Sequence, residues 1–150
     1  MKEGVGTAFN LSLLFYFMLL VAGFALFGIN YYRAFRVKNH IITYIEQFEG
    51  NFNNNTFKNN RLDMINASGY NIDQSKLDIA RTDGWTCPDQ EGWCYKLNSD
   101  IYKNGNHYCI YEVKAFISTD IPVINKLFAN YSFFEVNGVT KQIRRKAKCN

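Results

Sequence analysis

Cys87, Cys94, Cys109 and Cys149 are the side chains of this 150-residue chain best equipped for covalent chemistry. Cys87 and Cys94 bracket "CPDQEGWC", a spacing that lacks the short C-x-x-C pitch of zinc knuckles and dithiol redox centres. An even set of cysteines in a small domain points to disulfides made in an oxidising compartment. Four cysteines allow three pairings. The favoured one joins Cys87 to Cys94, closing a Pro/Gly loop, and Cys109 to Cys149, tying the tail to a strand. The competing reading is four buried free thiols in a cytoplasmic domain, because cysteine also serves as a small core residue.

Other reactive types are thinly spread. The two histidines, His40 and His107, accompany no H-E-x-x-H, G-x-S-x-G or P-loop pattern. His107, beside Asn104-Gly105, reads as an exposed turn residue. Asp73, Asp78 and Asp83 are five apart, which fits neither a strand face nor a calcium loop. The sequence therefore predicts no catalytic residue, no metal site and no cofactor. Asn54, Asn66 and Asn130 open Asn-x-Ser/Thr triplets, which arise easily in so asparagine-rich a chain. Lys141, Arg144, Arg145, Lys146 and Lys148 crowd the last ten residues without an acid. No aromatic residue interleaves these charges, which argues against a nucleic-acid partner.

The elements that must position these residues begin with a membrane helix. No charged side chain lies between Glu3 and Arg33, and Phe9 to Ile29 is apolar apart from Asn10, Ser12 and Tyr16. That run covers the roughly 20 residues a bilayer requires. A cleaved signal peptide is its competitor, but its apolar core is usually only about 7–15 residues long. Beyond the span Tyr31, Ala34, Phe35, Ile41, Ile42, Ile45 and Phe48 recur at helical steps, and Gly50 reads as the stop. The result is one rod of about 40 residues, near 60 Å at about 1.5 Å per residue. Ala22, Ala25 and Gly28, with Gly23 nearby, offer small side chains that permit close helix approach in lipid. Arg33, Arg36 and Lys38 form a basic flank where the rod would meet headgroups or a neighbouring subunit.

Orientation is contested. The flank favours a cytoplasmic domain by the positive-inside tendency, whereas the cysteines favour the opposite side. The remaining chain reads as an Asn-rich loop over residues 50–61, then strand candidates at Lys76 to Arg81 and Trp93 to Leu97. Asn104-Gly105 predicts a type I′ hairpin leading into Tyr108 to Thr119. Residues 121–131 suggest a short helix or turn. Phe133, Phe134 and Val136 suggest a strand, Asn137-Gly138 a tight turn, and Val139 to Ile143 its return. The expected fold is α+β: a long N-terminal helix over residues 1–50, then a small antiparallel β-rich domain over 51–150.

This order of parts resembles the type IV pilin class, and within it the TadE-like minor pilins or pseudopilins of Tad (tight adherence) pili in Gram-positive bacteria. The residues that carry the resemblance are "GVGTAFNLSLLFYF", "YYRAFRVKNHIITYIEQ", and "IPVINKLF" followed by "NGVTKQI". Such chains commonly carry Glu five residues after a processing glycine; counted from Gly4 or Gly6, this chain has Phe9 or Leu11. The resemblance implies a non-enzymatic structural subunit of a surface filament whose helix packs with other pilin-like subunits, with its N-terminus in the cytoplasm and its domain outside. The alternative is a membrane-tethered extracellular binding module using Trp85, Trp93 and the Tyr-rich strand.

Overall fold

The computed structural model describes residues 2–68, 70, 74–89, 91–116 and 135–149. The α+β layout expected from the sequence is the one observed. A single helix, α1, runs over Lys2–Gln47. It ends in a reciprocal cap: Gly50 N–H donates to Ile45 O (2.8 Å) and Glu49 N–H to Glu46 O (3.3 Å). The left-handed residue at the turn is Glu49 (φ 52), followed by Gly50 (φ 67). The expected glycine stop is thus shared with a glutamate.

After the cap two segments are helical against the sequence expectation. The Asn-rich stretch predicted as a loop enters α2 (Asn55–Ser68), and the strand predicted over Lys76 to Arg81 lies in α3 (Gln74–Thr82). Asn54 caps α2, its Oδ1 accepting from Thr56 N–H at 2.8 Å. Phe57, Arg61 and Ile65 then recur every fourth residue on the buried face. Asparagine is a poor helix former, but a cap and a buried stripe outweigh a propensity deficit of a few tenths of a kcal/mol per residue. In α3 Leu77 and Ala80 are buried. Gly84 (φ 79) takes the left-handed position of a cap with the same two-bond pattern as that of α1, Trp85 N–H to Ala80 O and Gly84 N–H to Arg81 O.

The sheet is antiparallel. Strand β1 (Trp93–Lys103) pairs with β2 (Asn106–Phe116) from Trp93↔Ala115 to Lys103↔Asn106, with an irregularity between Leu97 and Ser99. Asn104 (φ 53) and Gly105 (φ 74) close the predicted hairpin with both central residues in the left-handed region. On the other side of β2 lie β3 (Glu135–Val139) and β4 (Ile143–Arg145), end to end along one edge. Asn137-Gly138 is therefore not a turn: both residues sit inside β3, opposite Lys114 and Val113. What breaks the edge is Thr140, whose Oγ1 accepts Tyr111 N–H at 3.0 Å while its own N–H donates to Tyr111 O at 2.9 Å. Val136 lies in β3; the expectations for residues 121–131, Phe133 and Phe134 lie outside the described residues.

Alternation on β2 buries Cys109, Tyr111, Val113 and Ala115. Val37, Ile41 and Ile45 of α1 and Phe57 and Ile65 of α2 join Trp93, Cys109, Tyr111 and Val113 in one core. Cys94, one step out of phase with Trp93 and Tyr95, meets Leu77 and Ala80 of α3, Cys87 and Phe116 in a second cluster. Close approach of α1 to the sheet depends on small side chains. Ala34 packs with Ala115 and Val136, and a Cβ at Gly138 would stand 2.7 Å from Ile42 Cδ1 and 2.9 Å from Lys38 Cδ.

The helix cap supplies a testable pair. A Cβ at Gly50 would lie 3.0 Å from the Tyr111 ring in a backbone that disfavours it. Gly50→Ala is expected to destabilise the domain by about 1–3 kcal/mol. Glu49→Gly relieves the left-handed glutamate and should stabilise by up to about 1 kcal/mol. Denaturant midpoints followed by tryptophan fluorescence read both; equal midpoints would remove any role of backbone strain here.

Candidate functional site

The described part of α1 from Phe9 to Leu26 is largely exposed to solvent in the folded chain. Its apolar window is long enough to cross a membrane, and none of it is buried within the chain. Phe9 is 68% exposed, Phe17 64% and Phe24 69%, and the exposed side chains point in every direction around the helix. A helix apolar all round requires lipid or other helices about it. α1 is accordingly a candidate membrane span. Ala22, Ala25 and Gly28 are exposed and Gly23 is half-exposed. A Cβ at Gly28 would meet nothing within 4 Å, so packing inside the described chain does not account for its being a glycine.

Further along, the same helix becomes part of the domain. Ala34, Val37, Ile41 and Ile45 are fully buried. The basic flank divides: Arg33 and Arg36 are exposed, whereas Lys38 is buried with its ammonium 4.3 Å from the centre of the Phe35 ring. The C-terminal segment locks the helix end, Lys141 N–H donating to Glu46 Oε1 (2.8 Å) and Arg145 Nη1 to Gly50 O (3.3 Å). The rod and the domain are thus joined by a packed interface rather than a linker.

Both disulfides are closed, Cys87–Cys94 with Cα atoms 4.2 Å apart and Cys109–Cys149 with Cα atoms 5.8 Å apart. No free cysteine occurs among the described residues. The first closes the loop between α3 and β1; the second holds the end of the chain on β2.

Two polar clusters escaped the sequence reading. Arg61 and Glu91 form a buried ion pair in which Nη2 donates to Oε1 at 2.6 Å and Nε lies 2.5 Å from Oε2 without a hydrogen bond, and Trp93 Nε1 donates to Glu91 Oε2 at 2.8 Å. The guanidinium lies against the Phe57 and Trp93 rings. The pair is 30 residues apart in sequence, and no local pattern marks it. Tyr70 is the other case: its hydroxyl bonds to Gly92 O and Phe116 O, and burial pushes its pKa well above the usual phenol value, offset in part by the bond to Phe116. It remains a neutral donor that ties the residue before β1 to the end of β2. Burial likewise raises the Tyr95 hydroxyl, with Tyr111 adding to the effect.

His107 is half-buried rather than an exposed turn residue, with Nδ1 2.8 Å from Asp100 Oδ1 across the hairpin. These two and Cys149 place three potential donor atoms within 4.8 Å of one another. The sulfur is committed to Cys109, which leaves one imidazole and one carboxylate, too few for a zinc site. Asp78 pairs with Arg81 on the surface (2.9 Å). The aromatic surface expected of a tethered binding module is largely core: Trp93 and Tyr111 are fully buried, and Lys114 lies over the half-buried Trp85 ring.

Comparison with protein-family models, with characterised proteins and with solved structures finds no match to this chain.

Proposed function

We propose that this protein is a non-enzymatic structural subunit, a minor pilin or pseudopilin in kind. It is held in a membrane by the apolar part of α1 and assembles with similar subunits through that same part, its disulfide-bonded domain outside the cytoplasm. The observation that carries the reading is the continuity of α1, apolar and uncovered in its first part and buried as domain core in its second. A tether needs only an anchor and a flexible joint. A rod built into the domain fixes the angle between each domain and its helix, which ordered assembly requires. The small residues Ala22, Ala25 and Gly28 permit close helix approach. The two disulfides support the extracytoplasmic side.

Single cysteines placed at Leu13, Phe17 and Phe24 in native membranes test this, since the native sulfurs are all paired among the described residues. Oxidation is expected to yield cross-linked species from the helix positions and none from exposed Lys58 on α2. A monomer at every helix position would sink the assembly reading. An impermeant maleimide applied to intact cells should label the native chain only after reduction; labelling only after lysis would place the domain in the cytoplasm.

A further inference from the structure

Tyr32, Phe35, Arg36, Asn39, His40 and Thr43 line an open groove of about 260 Å³. Their three- and four-residue spacing stacks them on one face of α1. That face lies about half a turn round from Ala34, Val37, Ile41 and Ile45, which pack on the sheet. Its position along the rod is specific. At about 1.5 Å per residue Tyr32 stands about 5 Å beyond Ile29, within a headgroup layer about 5–7 Å deep on each side of the hydrocarbon. Arg36 is a turn further out, but helical side chains lean toward the helix N-terminus, which here is toward the bilayer.

The chemistry of the groove is one-sided. It offers a guanidinium, an amide, an imidazole and the Tyr32 hydroxyl above two aromatic rings, the Thr43 hydroxyl being donated to Asn39 O, and Arg33 follows Tyr32 in the chain. No carboxylate occurs from Asn30 to Ile45, and Glu46 is engaged by Lys141 N–H. Among the described residues neither Arg33 nor Arg36 forms an ion pair. The complement is an anion with an apolar neighbour, at membrane depth.

We infer that this groove seats the phosphate headgroup of an anionic phospholipid in the leaflet facing the domain. Arg36 pairs with the phosphate, Asn39 and His40 donate to its oxygens, and Tyr32 and Phe35 lie along the glycerol and upper acyl chain. The inference rests on the membrane half of the proposed function and not on assembly. It also gives the basic flank a reason to stand on the domain side of the span, where the positive-inside tendency alone would not place it.

The test uses the full chain in lipid bilayers containing spin-labelled phosphatidylglycerol or spin-labelled phosphatidylcholine, reading the motionally restricted fraction of each. Phosphatidylglycerol is expected to be favoured by about five-fold, the effect of one well-placed basic residue near a membrane surface. Arg36→Gln should bring the two lipids close to parity, and Lys148→Gln should leave the preference unchanged. Unaltered thermal unfolding would show that Arg36→Gln is folded. Equal restriction of both lipids by the inserted wild type overturns the inference, as does a preference that survives Arg36→Gln combined with His40→Gln. Loss of the preference on adding inorganic phosphate would assign the groove to a soluble anion instead. A chain that fails to insert removes the membrane reading itself, whereas lipid preference without helix cross-linking leaves the groove standing and removes only assembly.

Discussion

Glu91→Ala is expected to destabilise the domain by about 3–5 kcal/mol, the usual cost of stripping one partner from a buried ion pair. Glu91 and Arg61 are both nearly excluded from solvent, and the carboxylate accepts from two donors, Arg61 Nη2 and Trp93 Nε1, with Arg61 Nε beside it as ion-pair partner only. Removing it leaves a guanidinium among aromatic rings with no counter-charge and an indole N–H with no acceptor. The double variant Arg61→Met, Glu91→Gln should recover most of the loss, because it removes the charge and keeps a carbonyl for Trp93. Denaturant midpoints by tryptophan fluorescence separate the cases. A Glu91→Ala protein that unfolds at the wild-type midpoint would show that the pair carries no stability.

Cys149→Ser is expected to have the next largest effect. The Cys109–Cys149 link spans 40 residues and the Cys87–Cys94 link only 7. Loop-closure entropy then assigns about 4 kcal/mol to the first and about 2–3 kcal/mol to the second. The long link also holds β4, a three-residue strand that has no other covalent restraint near the chain end. Proteolysis after Lys146 or Lys148 should accelerate sharply in Cys149→Ser and little in a Cys87→Ser, Cys94→Ser protein. The reverse order of sensitivity would place the main restraint at the loop before β1.

The difference between what could and could not be read from sequence is clearest in α2. Counting asparagines over residues 50–61 marks a loop, yet the stripe that makes the helix, Phe57, Arg61 and Ile65, extends past the end of that window and contains a charged residue at a buried position. Arg61 looks solvated until Glu91 is brought to it from 30 residues away. The Asn137-Gly138 dipeptide misleads for a related reason. Glycine there does not serve a turn: it lets Lys38 and Ile42 of α1 pass close over β3. Asn104-Gly105, by contrast, does make its turn, because the strands it joins are adjacent in sequence and pair directly.

The amino-acid sequence by itself determined the apolar reach of α1, its amphipathic continuation to Gly50, the hairpin at Asn104-Gly105 and the α+β class. Each of these follows from hydropathy, periodicity or turn preference acting between near neighbours. Only the tertiary structure decided that α2 and α3 are helices, that Arg61 and Glu91 are buried together, that Tyr70 links Gly92, just before β1, to the end of β2, and that Lys38 leaves the basic flank to lie under the sheet edge. Those outcomes are set by which distant side chains share a desolvated space, where an unpaired charge or N–H costs more than any local propensity can offset.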